Sequence, residues 1–184
     1  MSWVFDTAHS QVTFSVRHMM ISNARGRFEN FSGVIDFNEE NPVASTVLVK
    51  IETASINTRD EKRDAHLRSA DFFNADAFPF MTFESTRVEK IDQNHGRLHG
   101  NLTIKDITHP VVLDVEYSGQ SRMWGSTSAG FSASTKINRK NWGLTWNHTL
   151  ESGGLLVGED ININIDLEIK KVEEAQPEKL AAKE

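Results

Sequence analysis

Apolar and polar residues alternate along most of this chain, most cleanly at residues 161–169. There the sequence runs Ile-Asn-Ile-Asn-Ile-Asp-Leu-Glu-Ile. Side chains alternate across a strand, so this segment has one apolar wall and one polar wall. A 3.6-residue period would scatter the apolar groups around a whole cylinder, which excludes a helix. The segment spans roughly 30 Å at about 3.3 Å per residue, against about 5–6 residues for a usual strand. A strand of that length predicts a tall sheet.

The two-residue period recurs. Val12, Phe14 and Val16 share one face, with Thr13, Ser15 and Arg17 opposite. Val47, Val49 and Ile51 repeat it, and residues 28–37 form an apolar-rich segment interrupted by Gly33. Met81 and Phe83 follow, then Leu102 and Ile104, then Val111, Leu113, Val115 and Tyr117, then Phe131, Ala133, Thr135 and Ile137. Residues 3–5 either form a strand or lead into the next one, so the count is eight or nine. Many strands joined by polar turns predict an all-β antiparallel barrel or sandwich. Asn94, His95 and Gly96 read as a tight turn. Residues 125–134 are small on both faces, so that strand either bends sharply or leaves room inside.

Residues 58–69 break the alternation. Thr58 with Glu61 fits a capping box, and a helix of about three turns is predicted near residues 59–70, ending before Phe72 and Phe73. It would either plug one end of a barrel or cross over its surface. Residues 139–154 form a second irregular stretch with Trp142, Gly143 and Trp146, long enough for a lid or binding loop. Residues 173–184 are charged and alanine-rich and read as a tail, leaving residues 1–172 as one domain.

Composition narrows the function classes. The chain has 184 residues, 38% hydrophobic and 25% charged, which suits one soluble domain with a sizeable core. Its net charge of -6 argues against a nucleic-acid surface, and no apolar run approaches the ~18 residues of a membrane helix. With no cysteine, disulfides, thiolate catalysis and Cys-based zinc sites are excluded. A strand-like pattern begins at once, with no basic start followed by an apolar run. Taken as the natural start, this predicts a cytoplasmic protein, whereas a trimmed start would leave export open.

Catalytic motifs are sparse. His95 and His99 are four apart but straddle a turn and a strand start, and no third ligand stands at a recognisable spacing, so no metal site is predicted. Asp64, His66, Ser69 and Asp71 are the residue types of a hydrolytic triad, but they crowd one short helix without a nucleophile elbow. No phosphate-cradling glycine loop is present, and no cofactor is expected.

Several motifs then stand in order. The first is Asp6-x-x-His9-Ser10-x-Val12-x-Phe14-x-Val16-x-His18-Met19. Arg63-Asp64-x-His66-Leu67-x-Ser69-x-Asp71-Phe72-Phe73 follows, then Phe78-Pro79-x-Met81-Thr82-Phe83-x-Ser85. Gly100-x-Leu102-Thr103-Ile104-Lys105, Thr108-x-Pro110-Val111, Ile137-Asn138-Arg139, Gly143-Leu144 and Val157-Gly158-x-Asp160 complete the set. Together they resemble the YceI-like family, the lipocalin-like polyisoprenoid-binding proteins, from about Trp3 to Lys171. The family usually has Gly-Val where this chain has Asp106-Ile107, which puts the local turn in question.

The resemblance implies an elongated eight-stranded antiparallel lipocalin-like barrel with a short helix, often a homodimer. It also implies a non-enzymatic protein holding a long isoprenoid lipid, of polyprenyl phosphate or quinone type, in an apolar lumen. On that reading Phe14, Val16, Val47, Val49, Ile51, Phe83, Leu102, Ile104, Leu113, Phe131, Ile163, Ile165 and Leu167 are the expected lining. His18, Arg63, His66 and Lys105 would meet a polar head group or else join helix to barrel, and Trp142 and Trp146 would rim the mouth. No stable membrane insertion is expected. The rivals are an enzyme acting on an apolar substrate in the barrel and a filled barrel serving as a dimeric interaction module.

Overall fold

The computed structural model describes residues 2–172. The chain opens with β1 (Ser2–Phe5) and β2 (Gln11–His18), two halves of one strand bent at a 3-10 turn, Thr7–His9. β3 (Ser22–Phe28) and β4 (Phe31–Asp36) are likewise halves of one bent strand. β5 (Thr46–Glu52) and the two-residue β6 (Ile56–Asn57) precede the helix α1 (Glu61–Arg68). Five long strands follow: β7 (Phe80–Lys90), β8 (His95–Ile104), β9 (Ile107–Met123), β10 (Ser126–Asn138) and β11 (Val157–Val172).

All eleven segments join one sheet in the order β1-β4-β5-β7-β8-β9-β10-β11-β2-β3-β6, and β1 also pairs with β11. That last ladder closes the ring. With each bent strand taken once, eight antiparallel strands surround the axis, the architecture expected from the alternation and the resemblance. The extra segments over the predicted eight or nine are the two bends and the β6 stub. At one end, here the hairpin end, lie the β4–β5, β7–β8 and β9–β10 connections. The other, the helix end, carries the β2–β3 and β8–β9 turns, α1 and the long β10–β11 connection.

Period-two patterning builds the inner wall. β11 is 16 residues long, about 50 Å at ~3.3 Å per residue, and pairs Ile163 with Phe14 and Ile165 with Val12 across β2. Gly33 is explained by packing, because a Cβ there would collide with the Phe5 ring, and Gly100 makes the same space for Phe83. The small-residue strand does both things open to it. Its ladder with β9 shifts register between Gly130 and Phe131, and Ala133 faces the interior with room beside it.

Three local expectations are corrected. The Thr58–Glu61 capping box does not form: Asp60 is the N-cap, its carboxylate accepting from the Arg63 N–H at 3.0 Å. The Thr58 N–H and hydroxyl both donate to the Asp64 carboxylate, so α1 starts later and runs eight residues, just over two turns. His95 and Gly96 already pair with Glu116 and Val115, which moves the tight turn to residues 91–94. There the Asp92 carboxylate accepts from the Asn94 and His95 N–H groups. The Asp106 departure leaves the turn intact. Lys105 and Asp106 both adopt positive φ, 51° and 61°, a conformation that Asp tolerates better than most residues. The expected tail, 173–184, lies outside the described residues.

Candidate functional site

The barrel encloses a cavity of about 710 Å³, within the ~300–1,000 Å³ usual for ligand pockets. All thirteen residues expected to line it do so. Phe14 and Val16 come from β2, Val47, Val49 and Ile51 from β5, and Phe83 from β7. Leu102 and Ile104 come from β8, Leu113 from β9 and Phe131 from β10, while β11 adds Ile163, Ile165 and Leu167. Parity along each strand therefore identified the inner face. Sequence reading missed further lining at the ends of strands and in the bent halves, among them Phe5, Phe31, Phe37 and Leu98. Their signal was present in the same alternation, extended past the bends.

The two ends of the cavity differ. At the helix end it is blind: buried Phe28, Ile56, Phe72 and Leu144 line it together with Leu67 and Phe73. The plug is thus made by the last turn of α1 and the two phenylalanines after it. At the hairpin end the lining reaches exposed, polar residues: Glu40, Lys90, Asp92, Gln93, Asn94 and His95. Glu39 also stands there, accepting from Lys171 Nζ at 2.6 Å and from Gln120 Nε2 at 2.9 Å. Those two bonds, the lysine's the larger, hold its carboxyl below the usual carboxylate range.

The four residues expected to meet a head group all lie toward the helix end, and none lines the cavity. His18 closes β2 at the β2–β3 turn, and Lys105 sits in the β8–β9 turn. Arg63 donates to the Thr58 hydroxyl and carbonyl, both at 2.8 Å, which ties helix to barrel. His66 Nε2 pairs with Asp71 at 2.9 Å, and its ring packs edge-on against Phe72 and Trp146. The expected rim tryptophans are likewise corrected. Trp142 is 2% exposed, its Nε1–H donating to the Leu102 carbonyl at 2.9 Å, and Trp146 packs on Phe72. Both belong to the closure of the blind end, where a large ring can be buried with its N–H satisfied.

The residue that organises this end is Arg139, 3% exposed. Its guanidinium donates to the carbonyls of Gly158, Leu144 and Trp146 at 2.8, 2.6 and 3.0 Å, with Val157 at 3.4 Å. Burial pushes its pKa down, opposed by Glu159. Four carbonyls in a planar fork explain how the irregular stretch between the 3-10 turn Arg139–Trp142 and β11 stays packed.

Ser69 Oγ donates to the His66 carbonyl at 2.6 Å, so the hydroxyl is turned away from the imidazole. Asp64 is buried on Thr58. His66 and Asp71 therefore form an orienting pair without a nucleophile, outside the cavity. Ligand atoms of Asp6, His9 and Glu168 come within 4.8 Å of one another, but the Lys170 ammonium sits on Asp6 Oδ2 beside His9. A cation position there is already taken by the protein's own charge.

Known proteins share this architecture. A UPF0312 protein of Staphylococcus aureus (strain N315) is 37% identical over 171 residues, covering 91% of this chain and 96% of its own. A Campylobacter jejuni YceI protein of known crystal structure is 38% identical, with the same coverage of 91% and 96% and a TM-score of 0.73. Burkholderia cenocepacia BcnA shares the fold at 21% identity, with a TM-score of 0.77 over 89% of this chain and 98% of its own. A polyisoprenoid binding domain from Saccharophagus degradans shares it at 14%, with a TM-score of 0.66 over 94% and 99%. The YceI-like domain matches residues 3–169, nearly every residue of the barrel, and the chain belongs to that family.

Proposed function

We propose that this protein binds a long isoprenoid lipid, its chain in the cavity and its head group at the hairpin-end mouth. It holds that lipid for transport, storage or sequestration and does not transform it. One observation carries the reading: a cavity of about 710 Å³ that is blind at one end and mainly apolar along its walls, whose buried Arg139 is spent on backbone carbonyls and whose exposed charged residues gather chiefly at the other end. An isoprenoid tail has no polar groups to satisfy, so apolar area alone drives its burial, at ~25 cal/mol per Å². A catalytic pocket instead brings polar groups to bear on a reacting atom inside. The fold shared with the Saccharophagus degradans polyisoprenoid binding domain supports this choice of ligand.

The mouth bears on the head group. Lys90 and Arg97 stand there with Glu39, Glu40 and Asp92, and Arg97 lies 3.5 Å from the Asp114 carboxylate. With Glu89, four carboxylates line the mouth beside these two cations, and the neighbouring Lys171 is already paired with Glu39. This balance favours an uncharged, hydrogen-bonding head group of quinone type over a phosphate, which would gather cations. The test is mass spectrometry of an organic extract of protein purified from its native host. An isoprenoid quinone is the expected result. A polyprenyl phosphate would revise the head group, and an extract without isoprenoid would overturn the reading. The homodimer and the cytoplasmic location belong to the same proposal, to be read by light scattering and by cell fractionation.

A further inference from the structure

The hairpin that closes β9 onto β10 has a costly tip. Met123 pairs with Ser126, leaving Trp124 and Gly125 as a two-residue turn with φ of 49° and 82°. Such turns need positive φ at both central positions, which suits Asn-Gly and opposes a bulky first residue. Trp124 is nevertheless there, and it is 94% exposed. The largest side chain in the repertoire thus occupies a strained position while burying almost nothing. Neither folding nor solubility is served.

The tip has company. The hairpin extends past its last rung with β11, at Ser128 and Lys170, on the side where the cavity opens. Gln120 on the same hairpin lines the mouth and bonds to Glu39 on the β4–β5 connection. That connection exposes Val43, 47% accessible, next to the lining residue Pro42. The β7–β8 turn exposes Ile91, 52% accessible, next to the lining residue Asp92. Single exposed apolar residues are ordinary. Here each of the three connections at the mouth carries at least one, and Met123 adds a second beside Trp124.

We propose that these three tips dock the mouth on a lipid bilayer, Trp124 entering the interface, so that the cavity opens onto the membrane. The inference rests on the carrier reading, since a chain of low water solubility must pass between bilayer and cavity without crossing water. The chemistry favours a bilayer over a protein. The anchors stand apart on separate loops with charged residues between them, whereas a protein interface needs a contiguous apolar centre. A fluid interface accepts separate anchors, and tryptophan is suited to it because one end of the ring is apolar and the indole N–H stays wet. Charges at the rim are of both signs and partly paired, Glu39 with Lys171 and Arg97 with Asp114. The surface that fits is therefore neutral, and docking is by insertion and not by attraction to anionic lipid.

The test is co-flotation of the full chain with phosphatidylcholine vesicles. Trp124→Asn keeps a residue that tolerates the turn and removes the ring. It should lower vesicle partitioning about tenfold, and adding Ile91→Ser should lower it further. Raising salt from about 0.1 to 0.5 M should change little. Ile21→Asn, at the exposed β2–β3 turn of the blind end, is the control and should bind like the parent. Unchanged partitioning in Trp124→Asn, loss in Ile21→Asn, or a strict need for anionic lipid would each overturn the proposal. Failure of the carrier reading looks different: extracts hold no isoprenoid while Trp124 still governs flotation. Lipid-loaded protein that ignores vesicles sinks the docking and leaves the carrier standing.

Discussion

The two ends of this barrel divide stability from exchange. At the helix end every polar side chain with a strong role is spent internally. Arg139 holds four carbonyls, Arg63 binds Thr58, Asp64 accepts from Thr58, and Trp142 donates to Leu102. At the hairpin end the polar side chains stand in ordinary turns around an opening, while exposed apolar side chains stand at turns of both ends, Met19, Met20 and Ile21 at the closed one and Ile91, Met123 and Trp124 at the open one. The motif-rich end is thus the one that stays shut. A dense set of recognisable residues marked the scaffold of the cavity, and the opening was built from residues that form no motif. The difference warns against assigning ligand contact to a polar residue because it sits in a signature.

The largest effect expected from this contrast is at Arg139. Arg139→Met keeps much of the length and removes the fork, leaving buried carbonyls of Leu144, Trp146, Gly158 and Val157 short of donors. Hydrogen bonds to charged groups contribute roughly 1.5–3 kcal/mol each, and the relief of burying a charge offsets part of that. We expect a loss of about 3 kcal/mol or more, read from urea unfolding followed by circular dichroism. Lipid loading should fall only in step with the folded fraction. A variant as stable as the parent would mean that the closed end does not depend on this residue.

The next effect reverses that order. Ile165 faces the cavity midway along β11, opposite Val12. Ile165→Glu puts a carboxylate where an apolar chain would lie, yet the side chain is only half-buried and borders the cavity on one side. Folding should lose about 1–2 kcal/mol, while lipid recovered in the extract should drop more than about tenfold. The pair of readouts is the check. Equal losses in stability and loading would make Ile165 ordinary core and favour a filled barrel.

How far the sequence reached follows from what kind of information each feature needs. Parity along a strand is local, so Phe14, Ile163 and Leu113 could be placed on the inner face from their neighbours alone. Closure of the ring was reachable only through the strand count and the resemblance, because the β1–β11 ladder joins residues 2–5 to 169–172. Polar roles were not legible. Thr58 and Asp60 are both good caps, and the choice fell to Asp60 because Asp64, one turn into the helix, claims Thr58. Trp142 and Trp146 sit in a stretch with no strand period to orient them; Trp142 is fixed by its bond to Leu102 and the Trp146 backbone by the Arg139 fork. Asp92 is a signal legible in the sequence: an aspartate two residues before Asn94 is the usual way to cap such a turn.

The smallest effect sharpens the comparison from between the ends, at the bend joining β1 to β2. Asp6 accepts there from Lys170 and from His9 at 2.7 Å, and its backbone N–H reaches the Glu168 carbonyl. Lys170 first and His9 second hold its carboxyl at about 2, against an ordinary value of 3.8. Taken whole, that depression is worth about 2.4 kcal/mol. Lys170 is 43% exposed, so solvent screens the pair and about 1 kcal/mol is the better expectation. Because the folded state holds the proton more weakly than the unfolded chain, the contribution is complete above about pH 5. It is lost progressively as pH falls from there toward 2. Asp6→Asn should therefore be slightly less stable than the parent at pH 7, with the gap shrinking as pH falls and closing below about pH 2. Lipid loading and vesicle binding should be unchanged at pH 7, since neither end of the barrel is touched. Urea midpoints of the two proteins across that range give the answer. A gap as large at pH 2 as at pH 7 would show that the bend is held by hydrogen-bond geometry alone, with no part played by the charge on Asp6.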